Sequence, residues 1–248
     1  MMLDDDIELI DGLPIAFIRS LKSIVISDPH LGYEGVMAKQ GVLIPKVNLR
    51  EMAESLAKAI KLTKAEKIIV DGDIKNEFSK VDQEEFNELY DFIEFAKNNG
   101  MELVLVKGNH DNFVERYKEP FKLKVYAQEA LIGKYLFFHG EEFPARAAEC
   151  SMLIMGHEHP AISVYNDIGR KEKLRCFLLG SYMGKPLLVM PAMNYFAGGT
   201  EINIEPRDKL LSPVLKAADV DGMRAIAIGF GSTMDFGTIA NLRRAAHR

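Results

Sequence analysis

The sequence predicts an α/β fold with a mixed or two-sheet core. In the first half of the chain, apolar strands alternate with amphipathic helices, which is the pattern of βαβ units and a parallel sheet. After residue 120 the predicted strands follow one another closely, so the second half is mostly β. The length of 248 residues suits one compact domain, although it is also compatible with two small domains.

Two helices fit between the strands of the first half. Residues 47–62 carry apolar positions at helical spacing with Asn48 as the N-cap, and residues 82–98 repeat the pattern before Gly100. Right-handed crossovers through these helices would make the flanking strands parallel. Those strands are predicted at residues 23–26, 67–70 and 102–106.

Turn residues divide the rest of the chain. Asp11-Gly12 within residues 7–18 and Gly133 within residues 132–134 indicate hairpin turns. Asp221-Gly222 suggests another hairpin, and the last eight residues suggest a frayed terminal helix. Strands in the second half are predicted at 122–128, 135–138, 152–155, 161–166, 174–180 and 186–190.

The composition is that of an ordinary globular protein, with 48% hydrophobic and 27% charged residues. No apolar run approaches the roughly 20 residues that cross a bilayer, and the start lacks a basic n-region, so we expect a cytoplasmic protein. The net charge of -5 lacks the strongly basic footprint of non-specific duplex-DNA binding. Cys150 and Cys176 are too few for a disulfide framework, so we expect reduced, buried thiols.

Five of the six histidines stand where an apolar strand ends in a short polar turn. The carboxyl ends of parallel strands meet at one edge of a sheet, where ligands bind in α/β proteins. Carboxylate, imidazole and amide oxygen together suit first-row divalent ions such as Mn, Fe, Co or Zn. The segments at the strand ends are DPH at 28–30, GDIKN at 72–76, GNHD at 108–111, FHG at 138–140 and GHEH at 156–159.

Each segment also has a purely structural alternative. Asp28 could be the N-cap of a helix, Asp73 could cap a turn, and His139 could be a hydrogen-bonded core histidine. His157 and His159 are a stronger signal, because residues two apart project to the same side of an extended segment. All five segments in this order at strand ends favour a metal site over five independent turns.

The ordered set D-x-H, G-D-x-x-[ND], G-N-H-[DE], H and G-H-x-H resembles the signature of the calcineurin-like metallophosphoesterases. GHEHP at 156–160 and MPAMNYFAGGTEIN at 190–203 resemble two groups within that superfamily: SbcD-related archaeal phosphoesterases, and bacterial DNA-damage-response phosphoesterases encoded beside DNA ligase genes. The resemblance implies two mixed β-sheets sandwiched by helices. It implies a single domain over residues 1–248, with a motif-bearing core at about 24–199 and an extension at 207–248.

The resemblance also implies two divalent metal ions bridged by Asp73, with manganese expected first and iron, cobalt, nickel or zinc as alternatives. His110 would face the scissile phosphate, Asp111 would hold its ring, and Asn76 would not be a ligand. The implied ligands of the first ion are Asp28, His30, Asp73 and His159. The implied ligands of the second ion are Asp73, Asn109, His139 and His157.

The expected activity is hydrolysis of phosphate esters by a hydroxide that bridges the two ions, which lie about 3.5–4 Å apart in such sites. The first substrate class is nucleic acid or a nucleotide phosphodiester, as in a nuclease or a DNA-repair phosphodiesterase. The acidic balance and the lack of capping domains favour the alternative, a phosphodiesterase for cyclic nucleotides or nucleotide conjugates. A non-catalytic metal-binding scaffold is disfavoured because no position of the motif set is broken.

The resemblance suggests partners as well. A phosphodiester substrate such as nucleic acid comes first, and DNA-repair proteins such as a helicase or a ligase follow from the subfamily. No membrane partner is expected. An exposed β edge in the second half would favour a homodimer.

Overall fold

The computed structural model describes residues 1–77, 83–165 and 168–246. Its strands are β1 Ile7–Leu9, β2 Ala16–Ile18, β3 Ser23–Ile26, β4 Lys67–Asp71, β5 Glu102–Val106, β6 Lys124–Tyr126, β7 Glu129–Ile132, β8 Tyr135–Phe138, β9 Met152–Met155, β10 Pro160–Tyr165, β11 Lys171–Tyr182, β12 Lys185–Val189, β13 Thr200–Glu201, β14 Arg224–Gly229 and β15 Ser232–Thr238. Its α-helices are α1 Tyr33–Lys39, α2 Asn48–Thr63, α3 Gln83–Asn98, α4 Lys118–Phe121, α5 Pro213–Ala217 and α6 Ile239–Ala246. Short 3₁₀ turns occupy Val114–Tyr117, Ala147–Glu149 and Arg207–Lys209.

The first sheet has the strand order β1-β2-β3-β4-β5-β6 within the described residues. β3, β4, β5 and β6 are parallel, with α2 and α3 in the crossovers, which confirms the predicted βαβ units. β1 and β2 form the predicted antiparallel hairpin. The helices cover one face of this sheet, where Met52 and Leu56 of α2 join Phe92 of α3 in the same apolar cluster as Ile68.

The second sheet runs in the order β13-β10-β11-β12-β9-β8-β7, with β14 on β11 and β15 on β14. It is mixed, because β9 is parallel to both β8 and β12 whereas β11 is antiparallel to β12. Val214 and Leu215 of α5 and Ile239 of α6 cover its outer face. The fold is therefore two mixed sheets between helices, as the sequence predicted.

The two sheets pack on each other through a third apolar cluster. β4 shows the alternation, since Ile69 enters this cluster whereas its neighbours Ile68 and Val70 face the helices. Phe137 of β8 and Leu188 of β12 meet Ile69 from the second sheet. Because this cluster fixes one sheet against the other, the segments that leave the ends of both sheets have fixed relative positions.

Two local predictions are wrong. Asn48 is the first residue of α2 and not its cap: the Glu34 carboxylate accepts the backbone N–H groups of Val47 and Asn48 at 3.1 and 2.8 Å. Asp221-Gly222 precedes β14 and turns no hairpin. The β14–β15 turn lies at Phe230-Gly231, where φ values of 52° and 76° supply the two left-handed residues that such a turn requires.

Two expectations from composition have counterparts in the structure. Cys150 and Cys176 are buried free thiols, and burial raises the pKa of Cys176. Among the described residues, no helix combines the length and apolar character needed to cross a membrane. Asp82, residue 166 and residues 247–248, on which parts of the helix and strand predictions fall, lie outside the described residues.

Candidate metal centre

The predicted site residues all leave the ends of strands that meet at one place. Asp28 and His30 follow β3, Asp73 follows β4, and Asn109 follows β5. His139 follows β8, and the GHEH segment follows β9, so the second sheet contributes as well. The packing of the two sheets, and not the first sheet alone, therefore assembles the centre.

Three groups of side chains have ligand atoms within 4.8 Å of one another: Asp28, His30 and His159; His30, Asp73 and His110; and Asp73, His139 and His157. In the first group, Nε2 of His159 lies 3.1 Å from Oδ1 of Asp28 and 3.2 Å from Nε2 of His30. In the third group, Nε2 of His139 lies 3.1 Å from Oδ2 of Asp73. The first and third groups contain six of the seven predicted metal ligands.

Asp73 stands between these groups. Its Oδ2 lies 3.1 Å from Nε2 of His139, 3.9 Å from Nε2 of His30 and 3.8 Å from Nε2 of His110. Its Oδ1 accepts the backbone N–H of His110 at 2.9 Å. One carboxylate thus faces imidazoles that follow strands of both sheets.

Five site residues have left-handed backbone conformations: Asp28 (φ 53°), His30 (φ 44°), Asp73 (φ 48°), His157 (φ 67°) and His159 (φ 47°). Such conformations are rare for residues other than glycine and persist only where the surroundings hold them. The expectation that His157 and His159 project to one side of an extended segment is therefore wrong. Each turns to a different ligand group, His157 to Asp73 and His159 to Asp28.

Backbone hydrogen bonds between the turns hold these conformations. The N–H of Asp28 donates to the carbonyl of Gly72 at 3.2 Å, and the N–H of His30 donates to the carbonyl of Asp73 at 2.9 Å. The N–H of His157 donates to Oδ2 of Asp28 at 3.2 Å. The turns after β3, β4 and β9 are therefore tied to one another directly.

The histidines of the centre fall into two pairs, one with lowered and one with raised pKa values. Burial lowers the pKa of both His30 and His157 to about 4, so these imidazoles are neutral at pH 7 and available as ligands. Burial also acts on His139 and His159, but the neighbouring aspartates more than offset it and raise the pKa of both. A cation bound beside them would displace their protons, so metal binding here is coupled to proton release.

The residues present fit divalent cations. Oδ1 of Asn109 and Nδ1 of His30 are buried and have no hydrogen-bond partner within the described part of the chain. Buried polar atoms are nearly always satisfied, so an acceptor oxygen without a donor beside clustered carboxylates and imidazoles suits a cation. The absence of cysteine from the set and the mixture of nitrogen and oxygen ligands suit first-row divalent ions.

His110 is held differently from the expectation. Its Nδ1 lies 2.7 Å from the backbone carbonyl of Asn76, which therefore takes the ring-holding contact assigned to Asp111. The Asp111 carboxylate instead accepts the backbone N–H groups of Gly108 at 2.9 Å and Lys75 at 3.1 Å. Burial, with the charge of Asp73 added, raises the pKa of Asp111 to about 7. Asp111 thus ties together the two loops that carry His110 and Asp73.

Sequence reasoning missed Glu158, which lies between two predicted ligands. Its buried carboxylate accepts the backbone N–H groups of Leu211 at 2.9 Å and Ser212 at 2.8 Å. The Ser212 hydroxyl donates to the carbonyl of Gly140 at 2.7 Å. The C-terminal segment therefore supports the GHEH turn. The one sign of this support in the sequence is the position of Glu158 between His157 and His159.

Residues 21–161 match the profile of the calcineurin-like phosphoesterase family, which is more than half of the chain. The protein belongs to this family, a class of hydrolases that use divalent metals. No curated protein matches the chain.

Among solved structures, the chain is similar to the Pseudomonas putida nuclease MPE, with 18% identity, a TM-score of 0.61, and coverage of 90% of this chain and 93% of that one. At this identity the likeness shows a shared fold. The phosphoesterase Yfce from E. coli has 16% identity and a TM-score of 0.42, with coverage of 85% of this chain and 95% of that one.

We expect Glu158→Gln to lower the free energy of unfolding by about 1.5–3 kcal/mol, because an amide replaces a charged acceptor of two backbone hydrogen bonds. Urea unfolding measures the change. Glu119→Gln, which alters an exposed glutamate, is the matched control and should change the midpoint little. Equal effects of the two substitutions would contradict the support role of Glu158.

We expect Mn²⁺ to stabilise the metal-stripped protein by about 2.7 kcal/mol at a hundred times its Kd, because only the folded chain assembles the ligand groups. Thermal unfolding with and without the ion measures this. Asp73→Asn removes a carboxylate that two of the groups share and should abolish the shift. The exposed Asp208→Asn is the control and should retain it. A shift of equal size in both variants would place the ion elsewhere.

Proposed function

We propose that this protein is a dinuclear-metal phosphodiesterase that acts on nucleic acid or nucleotide phosphodiesters. The observation that carries the proposal is the Asp73 carboxylate, which lies between two ligand groups while Nε2 of His110 stands 3.8 Å from its Oδ2. Within the proposal, Asp28, His30, Asp73 and His159 would hold one ion. Asp73, Asn109, His139 and His157 would hold the other.

When bound, two divalent ions neutralise charge on the phosphate and acidify a water molecule so that it can attack near neutral pH. The chain's own task is to hold the seven ligand side chains, which follow strands of both sheets, in fixed positions for this. Its neutral imidazoles, His30 and His157, add ligand atoms without adding negative charge. The centre therefore stays electrophilic toward an anionic ester.

In the proposed reaction, His110 moves a proton. The Asn76 carbonyl only accepts, so the contact at 2.7 Å requires a hydrogen on Nδ1 of His110. Nε2 is then the ring atom that faces the centre. In the imidazolium form it carries the second proton, which it can donate to the leaving alkoxide. The side chain is 24% exposed, so a substrate can reach it.

The similarity to a nuclease from Pseudomonas putida and the motifs at 156–160 and 190–203 support nucleic acid as the substrate and DNA repair as the process. We extend the proposal to manganese as the resident metal, to a cytoplasmic location and to DNA-repair proteins as partners. The net charge of -5 favours the second candidate, a phosphodiesterase for cyclic nucleotides or nucleotide conjugates.

Hydrolysis of bis-p-nitrophenyl phosphate by metal-stripped protein refilled with Mn²⁺ tests the activity. We expect Asp73→Ala to lose turnover and metal binding. We expect His110→Ala to lose about 10²–10⁴-fold in turnover while it binds Mn²⁺ as the wild type does, because His110 supplies a proton and not a ligand. Titration calorimetry measures the metal binding, and Asp208→Asn is the control.

Tight binding of Mn²⁺ without turnover on a panel of phosphate esters would contradict the proposed enzymatic activity and favour a metal-binding scaffold. Loss of Mn²⁺ binding in His110→Ala would instead make His110 a ligand and remove it from proton transfer.

Salt dependence separates the two substrate classes. A nuclease contacts several phosphates, so its affinity for an oligonucleotide should fall steeply with added salt. A phosphodiesterase for small esters makes one or two such contacts, and its turnover should change little between 50 and 200 mM salt. We expect the steep dependence; a flat one, together with rapid turnover of a cyclic nucleotide, would favour the second candidate.

A further inference from the structure

Three aromatic side chains, Tyr33, Tyr195 and Phe196, form a cluster that the proposed mechanism does not use. The Phe196 ring lies nearly parallel to that of Tyr33, at 13° and 6.1 Å between centroids, and nearly perpendicular to that of Tyr195, at 87° and 5.2 Å. Tyr195 is 53% exposed, and Tyr33 and Phe196 are half-buried. Partly exposed aromatic rings leave apolar surface on which a further ring can pack.

Asn194 ties this cluster to the turn that carries Asp28 and His30. The buried Asn194 amide donates to the carbonyls of Pro29 at 3.2 Å and His30 at 3.4 Å, and its Oδ1 accepts the N–H of Phe196 at 2.7 Å. The N–H of Tyr33 donates to the same His30 carbonyl at 3.2 Å. Both arms of the cluster are thus anchored on a candidate metal ligand.

The most exposed predicted side chains beside the buried His30 are those of His110 and His159. The side chains of His110 and His159 are 24% and 21% exposed, whereas those of Asp28 and His139 are fully buried. The His30 ring stands between the two exposed histidines, with ring centroids 5.1 Å from each. A substrate held beside His110 and His159 would therefore lie close to the His30 turn, to which both arms of the cluster are bonded.

A cation lies beneath the loop that carries the cluster. Nη1 of Arg175 donates to the carbonyls of Ala192 and Asn194, at 3.2 Å each. No carboxylate of the described residues forms a salt bridge with this guanidinium. In a chain of net charge -5, an arginine whose charge is unpaired in this way favours an anionic ligand at the neighbouring loop.

We infer that Tyr33, Tyr195 and Phe196 form a stacking subsite for the base of an unpaired nucleotide next to the phosphodiester that is cut. An unpaired base can present a free π-face to an aromatic ring, whereas a base within a duplex is covered by its stacked neighbours. The inference rests on the proposed function and adds a contact to the base.

Two esters with the same leaving group isolate the contribution of the base. One is the p-nitrophenyl ester of thymidine 5′-monophosphate, and the other is its abasic deoxyribose counterpart. With Mn²⁺-loaded wild type we expect a lower KM for the thymidine ester. Phe196→Leu and Tyr33→Leu should each raise the KM of the thymidine ester by about 5- to 150-fold, the range of one base–aromatic stack. Neither substitution should change the kcat of the thymidine ester, or the KM and kcat of the abasic ester.

Phe230→Leu is the matched control, because Phe230 is 82% exposed in the β14–β15 turn and belongs neither to the ligand groups nor to the aromatic cluster. This substitution should change neither KM nor kcat for either ester. Equal KM values for the two esters in the wild type would overturn the inference. An equal rise in the KM of both esters in Phe196→Leu would also overturn the inference, since that result would mean that Phe196 only supports the His30 turn.

A binding measurement separates failure of the subsite from failure of the activity. Fluorescence anisotropy of a labelled thymidine hexanucleotide and an abasic hexamer is read with Mn²⁺-loaded His110→Ala, in which turnover is slow. We expect tighter binding of the thymidine oligomer and loss of that preference on adding Phe196→Leu. If the wild type hydrolyses bis-p-nitrophenyl phosphate but the anisotropy shows no preference for the thymidine oligomer, the subsite alone is refuted. Absence of hydrolysis and of preference would refute both.

Discussion

Backbone hydrogen bonds join the turn after β3 to the turn after β4, and the metal centre is built on this pairing. The N–H groups of Asp28, His30 and Leu31 donate in succession to the carbonyls of Gly72, Asp73 and Ile74. The pairing requires close approach, since a Cβ at Gly72 would lie 1.9 Å from Nδ1 of His139 and one at Gly156 would lie 1.8 Å from the Ser27 hydroxyl. Glycine at these two positions lets the strand ends of both sheets converge.

This arrangement stores strain. Each non-glycine residue in a left-handed conformation costs on the order of 1–3 kcal/mol, and the buried Asp28 and Asp73 bring negative charge into the same small volume. The apolar cluster between the two sheets supplies the frame that withstands both costs. Divalent cations would relieve the second cost by neutralising the carboxylates.

Polar side chains hold the segments outside the strand ends against the candidate metal centre. Glu158 fastens the C-terminal segment behind the GHEH turn, and Asn194 fastens an aromatic loop beside the His30 turn. Asp111 joins the loop of His110 to the loop of Asp73 through backbone amides. These polar side chains therefore connect the turns that carry the candidate ligands to the segments around them.

The sequence by itself determined the fold and predicted the strand-end segments that meet at the candidate metal centre, because apolar runs, helical periodicity and strand-end motifs are local properties of the chain. Only the tertiary structure decided the left-handed turns that send His157 and His159 to different ligand groups, and the capping of α2 by Glu34 in place of Asn48. It also decided that the Asn76 carbonyl holds His110. These features depend on hydrogen bonds between segments far apart in sequence, which no local pattern encodes.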